Sequence, residues 1–160
     1  MELNIFENCN FTLRSVNATT TETNNTGFTW SNIDMRKVLG QLYDKHDTFR
    51  IILTSVCSKN QSTITDNNDS CLVINMAGLP FERNTYNYVT KTESTSAVIG
   101  CMKLTSTNGY ITNSQLGVVF RKIDGMHNVR VFLTRATDGV TPTGKVYGDF
   151  VFHFTIYGIN

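Results

Sequence analysis

The stretch that decides the fold is DFVFHFTIYGIN, residues 149–160. At the two-residue period of a strand, Phe150, Phe152, Phe154 and Ile156 fall on one face, and Val151, His153, Thr155 and Tyr157 on the other. A face this apolar belongs against a second layer, where each large side chain contributes about 1.5–3 kcal/mol on full burial. The pattern predicts a core strand. Greek-key connections can place such a strand in the middle of a sheet although it comes last in sequence.

Working outward, similar strand-like runs recur as FRIILTSVC (49–57), CLVINMAG (71–78), AVIGCMKL (97–104), LGVVFRKI (116–123) and VRVFLTRA (129–136). Two shorter candidates, Leu3 to Phe6 and Phe11 to Val16, precede them. Turn signals separate the runs, among them Asn108-Gly109, Asp124-Gly125, Asp138-Gly139 and Thr141-Pro142-Thr143-Gly144. The fold class is therefore all-β, a two-sheet sandwich of about eight strands in a single domain spanning residues 1–160. The polar run NATTTETNNTG (17–27) makes residues 1–28 in part an N-terminal arm or exposed loop. One segment changes period. Met35, Val38, Leu39, Leu42, Tyr43 and His46 form a stripe at helical spacing, predicting one short helix near residues 33–45 capped by Ser31 or Asn32. Gly40 in its interior costs that helix about 1 kcal/mol relative to Ala.

Composition narrows the function classes. Lys plus Arg (14) nearly balances Asp plus Glu (13), and a net charge of +1 supplies no broad field for nucleic acid or an anionic membrane. Phe120 alternates with Arg121, so that pair reads as a half-buried strand and not as a basic, aromatic binding platform. No nucleic-acid partner is expected. No run approaches the roughly 20 apolar residues of a membrane span, and the start MELNIF lacks the pattern of a secretion leader. Cys9, Cys57, Cys71 and Cys101 have no CxxC spacing, and the last three sit inside apolar runs, where reduced thiols behave as small buried hydrophobes. His46, His127 and His153 share no metal-ligand spacing, and neither a GxSxG nor a phosphate-binding glycine motif occurs. The expectation is no enzyme, with no catalytic, cofactor or metal residues. Asp66 and Asp69 offer oxygen ligands without the spacing of an EF-hand loop.

The stretch MAGLPFERNTYN (76–87) is the most unusual. Gly78 and Pro80 break a strand, while Leu79, Phe81, Tyr86 and Tyr88 keep it apolar, as in a loop folded back over an opening of the core. Pro80, Phe81, Tyr86, Tyr88, Asp66 and Asp69 are the candidate inter-subunit or ligand contacts.

Three stretches together, WSNIDMRKVLGQLYDKHDTF (30–49), NMAGLPFERNTYN (75–87) and DFVFHFTIYG (149–158), resemble small jelly-roll minor capsid proteins of large icosahedral DNA viruses of algae and protists, the mimivirus-like group. His46 stands where that pattern has an aromatic. The resemblance implies a single jelly roll serving as a vertex (penton) or cement component of a virion capsid. It implies synthesis in the host cytoplasm, and as partners other capsid proteins and further copies of this chain, a pentamer included. The alternative is a carbohydrate- or receptor-binding module of the same fold on the virion.

Overall fold

The computed structural model describes residues 7–21, 27–59, 71–81, 85–87, 92–94, 96–104, 109–113, 117–135 and 149–159. The N-terminal strand β1 (Asn8–Arg14) is followed by a 3-10 turn, Ser15–Asn17, and by the short β2 (Thr20–Thr21). Next come β3 (Gly27–Asp34) and two small helices, α1 (Met35–Leu39) and α2 (Leu42–Lys45). Strands β4 (Thr48–Lys59), β5 (Cys71–Ala77), β6 (Thr85–Asn87), β7 (Thr92–Ser94) and β8 (Ser96–Leu104) follow. The rest are β9 (Gly109–Asn113), β10 (Val118–Arg121), β11 (Met126–Arg135) and β12 (Asp149–Ile159).

One sheet runs β1-β12-β4-β10 and the other β2-β3-β11-β5-β8-β9, with β6 and β7 paired separately. Setting aside the short β2, β6, β7 and β9 leaves eight strands, in two sheets of four whose chain order interleaves as 1-8-3-6 and 2-7-4-5. That interleaving is the strand order of a jelly roll, two Greek keys wound together. The all-β sandwich read from the sequence is the fold the chain adopts.

The closing strand occupies the middle of its sheet, antiparallel to β1 on one side and β4 on the other. Phe150, Phe152, Phe154 and Ile156 are all buried, as the alternation requires. Across the sandwich Phe28 and Trp30 of β3 meet them: Phe28 lies 6.0 Å from Phe150, and Trp30 sits edge-on to Phe152 at 6.1 Å. Val129, Val131 and Leu133 of β11 and Ile74 and Met76 of β5 complete the second wall. Trp30 also satisfies its indole N–H, which donates to Arg14 O at 2.8 Å and ties the two sheets along that side.

Two irregularities set which side chains face in. His153 pairs with Ser55 but Phe154 pairs with Leu53, so Thr54 is an extra residue, and its hydroxyl donates to His153 O at 2.8 Å. The bulge exchanges the faces of β4. Phe49, Ile51 and Leu53 point inward before it and Val56 after it, so Cys57, expected among the buried thiols, is exposed. Cys101 is half-buried, and the Cys71 side chain lies outside the described residues. In β3, Ser31 and Asn32 together oppose Asn128, and Asn32 takes the left-handed φ of +59° that asparagine tolerates at such a bulge.

The helical segment differs from its sequence reading in two ways. Ser31 and Asn32 belong to β3, and the cap is Asp34, whose carboxylate accepts the Arg36 N–H at 3.0 Å. Gly40 adopts φ +56° and divides the expected single helix into α1 and α2. The apolar stripe survives the break, because Met35, Leu39, Leu42, Tyr43 and His46 are all buried. Asn8–Arg14 within the first 28 residues is an integral strand, while Leu3 to Phe6 lie outside the described residues. The strand β3 begins inside the polar run and continues through the segment whose caps were sought there.

Because Phe152 is fully enclosed by rings of both sheets, Phe152→Ala is expected to cost about 3–5 kcal/mol in denaturant unfolding. A cost below about 1 kcal/mol would contradict the packing described.

Candidate functional site

One end of the sandwich gathers most of the unusual chemistry. The chain leaves β5 at Gly78, whose φ of +103° and close approach to the Asn128 carbonyl leave no room for a Cβ. The turn that follows buries Leu79, and the Phe81 N–H donates to Leu79 O at 2.9 Å. Phe81 then stands edge-on to Phe120 at 6.5 Å, and Phe120 stacks on Phe49 at 5.5 Å. Arg121 N–H donates to Pro80 O at 3.1 Å, which fastens the corner to β10. The corner closes the core, as its apolar residues suggested, and its Phe81 ring faces inward, away from any partner. Pro80 is half-buried beside it. Tyr86 lies in β6 opposite Glu93, its side chain outside the description, and Tyr88, Asp66 and Asp69 lie outside the described residues altogether.

The same end carries a constellation that spacing did not reveal. His46, at the end of α2, has a side chain only 3% exposed and lies on Gly158 of β12, edge-on to Phe49 at 6.3 Å. A side chain at position 158 would occupy the space of the imidazole. Nε2 of His46 stands 2.6 Å from Glu7 Oε2, and Lys45 Nζ is 3.9 Å from Glu7 Oε1. Glu7 therefore receives His46 on one oxygen and Lys45 on the other. Nδ1 of His46 is buried with no hydrogen-bond partner. Glu7 and His46 are 39 residues apart in sequence, so no local motif signalled the pair.

Beside this pair a cleft of about 320 Å³ opens between the start of β1 and the two helices. Cys9, Val38, Leu39 and Leu42 give it an apolar lining, with Glu7 and Lys45 as its charged residues. Cysteine, histidine and carboxylate in one neighbourhood invite comparison with a thiol hydrolase, but the physical state of each group argues otherwise. Burial pushes the Cys9 thiol above its ordinary value, which disfavours the nucleophilic thiolate. The His46 ring is sealed from solvent, so a substrate in the cleft would not touch it. The arrangement does mechanical work. It bolts the start of β1, the end of α2 and the last turn of β12 together, helped by Gly158 N–H donating to Glu7 O at 3.4 Å.

The other two histidines also serve locally. His127 Nε2 lies 2.6 Å from Asp124 O in the turn before β11, and His153 Nδ1 lies 3.3 Å from the Thr12 hydroxyl on the outer face of the first sheet. Among the described residues no three His, Cys, Asp or Glu side chains converge as metal ligands, and no helix is long and apolar enough to cross a membrane. Phe120 is buried and Arg121 exposed, in keeping with the alternation. Arg130 and Phe132, two apart, share a face, with the guanidinium 4.5 Å from the ring centroid.

No family model matches the sequence, and no curated protein matches it. Structural superposition aligns the chain with nodavirus capsid proteins. In the semi-empty virus-like particle of the giant freshwater prawn Macrobrachium rosenbergii nodavirus, 94% of this chain aligns with 93% of that chain at 8% identity and a TM-score of 0.24. In a T=1 subviral particle of a Penaeus vannamei nodavirus capsid deletion mutant, the figures are 95%, 92%, 7% and 0.23. A glycoside hydrolase-like protein from Bacteroides thetaiotaomicron aligns over 83% of this chain and 46% of its own, at 12% identity and a TM-score of 0.20. These superpositions are too loose to equate the folds.

The bolt makes a sharp prediction. Gly158→Ala, which drives a methyl group into the His46 ring, is expected to destabilise by about 1–3 kcal/mol. Introduced into a His46→Ala background it should cost much less, a coupling that a double-mutant cycle of unfolding free energies measures. Equal costs in the two backgrounds would show that the imidazole is not what fills the space above Gly158.

Proposed function

We propose that this chain is a structural protein of an icosahedral virion, a minor capsid component at a vertex or between major capsomers. The observation that carries the reading is the strand order, the interleaved 1-8-3-6 and 2-7-4-5 of a jelly roll, a fold used by viral capsid and lectin domains. Fold by itself does not assign function. The sequence resemblance to jelly-roll minor capsid proteins points the same way, and so does the use of the chain's most distinctive residues. Phe81, His46 and Glu7 all serve to close one end of the sandwich, which suits a building block whose work is done by its faces, edges and loops.

In this reading the chain performs no chemistry of its own, its partners are capsid proteins, and it resides in the virion shell. The carbohydrate-binding alternative rested on the Met76–Tyr88 corner and the Asp66–Asp69 loop. No described observation favours it, since the Phe81 ring is committed to the core.

Quantitative mass spectrometry of purified particles, washed in high salt, tests the proposal. The chain is expected to remain with the particles at a fixed ratio to the major capsid protein. Abundance in infected cells with none in washed particles would overturn the reading.

A further inference from the structure

We infer that the outer edge of β1 is a two-fold contact between two copies of this chain, in which β1 pairs antiparallel with its counterpart about Phe11. The inference rests on edge chemistry alone and stands whether or not the capsid reading holds.

The sheet edges are not equivalent. At β10 the edge is occupied, because Arg121 N–H donates to Pro80 O and Phe81 bridges Phe120. At β2 it is two residues long, and β9 meets β8 through an irregular register between Cys101 and Met102. β1 instead runs in unbroken register against β12 from Asn8 to Arg14. It contains no proline, lysine or bulge, the devices that ordinarily protect an edge from pairing.

Its free hydrogen-bonding groups can be identified. Gly158 N–H donates to Glu7 O, which fixes the phase of the ladder, so Cys9, Phe11 and Leu13 exchange bonds with β12 while Asn10 and Thr12 direct N–H and C=O away from it. Arg14 belongs to the same outward set, and its carbonyl is taken by the Trp30 indole, which closes the row at that end.

The strand is self-complementary about Phe11. Antiparallel pairing at that centre sets Asn10 against the second copy's Thr12, Cys9 against Leu13 and Asn8 against Arg14. Inward side chains meet inward ones and polar meets polar, whereas a one-residue slip would set inward against outward. Charge selects the same direction. The two-fold brings Arg14 of one copy towards the end of the other β1 that begins at Glu7, while parallel pairing in register would stack Arg14 upon Arg14.

A second observation fits the same symmetry operation. Val16, in the turn just past Arg14, is 59% exposed. Continuing the register carries this turn to the start of the second copy's β1, where the cleft lined by Val38, Leu39 and Leu42 opens beside Glu7. One two-fold thus covers an exposed apolar side chain with an apolar cleft, twice. The seam is small beside the about 1,200 Å² that specific interfaces bury, so the dimer is weak and depends on concentration.

Sedimentation velocity of the purified full chain in reducing buffer, from low to high micromolar concentration, tests the inference. The wild type is expected to show a monomer–dimer equilibrium. Asn10→Pro removes an outward-facing donor without touching the β12 ladder, and Val16→Asp places a charge at the cleft. Each is expected to weaken dimerisation at least tenfold with little change in Tm. A chain that stays monomeric throughout, or self-association of any order that neither variant weakens, would overturn it. Should Asn10→Pro fail to fold, Val16→Asp at its exposed turn decides alone.

Discussion

The structure depends on the contact of Phe150 and Phe152 with Phe28 and Trp30 across the two sheets. Each such aromatic pair contributes about 0.5–1.5 kcal/mol beyond the area it buries. Its larger effect is on topology. β12 brings its phenylalanines to the centre of one sheet, and it reaches that position only after every other strand is in place around it. The remaining rings extend the same slab, with Phe11 at 5.8 Å from Phe154 and Phe120 stacked on Phe49. Few of these contacts are local in sequence, so the core forms as a unit and folding is expected to be slow for a chain of this size.

A slab of rings leaves the sandwich open at its ends, and at one end the chain spends its least regular residues. The α1 and α2 helices, split at Gly40, lay an apolar stripe over that opening, and the Leu79–Phe81 corner closes it from the other side. Lys122 N–H donates to Asp47 O at 2.8 Å, and the Tyr43 ring lies between Arg36 and Lys122 at 4.8 and 4.5 Å. The exposed ion pairs Arg36–Asp44 and Lys122–Asp47 are long, at 3.9 and 3.8 Å, and add little. The polar contact of consequence is Glu7 with His46, because the imidazole is buried and has Gly158 beneath it.

Much of this was legible in the sequence, and the misses share a cause. Period-two runs revealed every long strand from β4 onward except where a bulge intervened, because alternation is a local property of one chain segment. Bulges are not. Thr54 reverses the faces of β4, and nothing in RIILTSVC announces it, so Cys57 was assigned to the wrong side. β3 was hidden because GFTWSNID mixes buried Phe28 and Trp30 with turn-forming residues, one of which, Asn32, does form a bulge. The helical stripe was readable from side-chain spacing, while its division at Gly40 depends on a backbone torsion. Of the candidate site, the corner's role in closing the core was visible from its apolar residues. The partnership of Glu7 with His46 was not, since it joins positions that only the completed sheet brings together.

Native-state hydrogen exchange at the amides of Phe152, Phe154 and Ile156 tests most directly whether β12 is the element on which the sandwich depends. Those amides bond into a strand flanked on both sides, and they are expected to exchange only through global unfolding, with the free energy measured by denaturant. Exchange through a local opening of lower free energy, while β5 and β11 stay protected, would show that the sandwich stands without its closing strand.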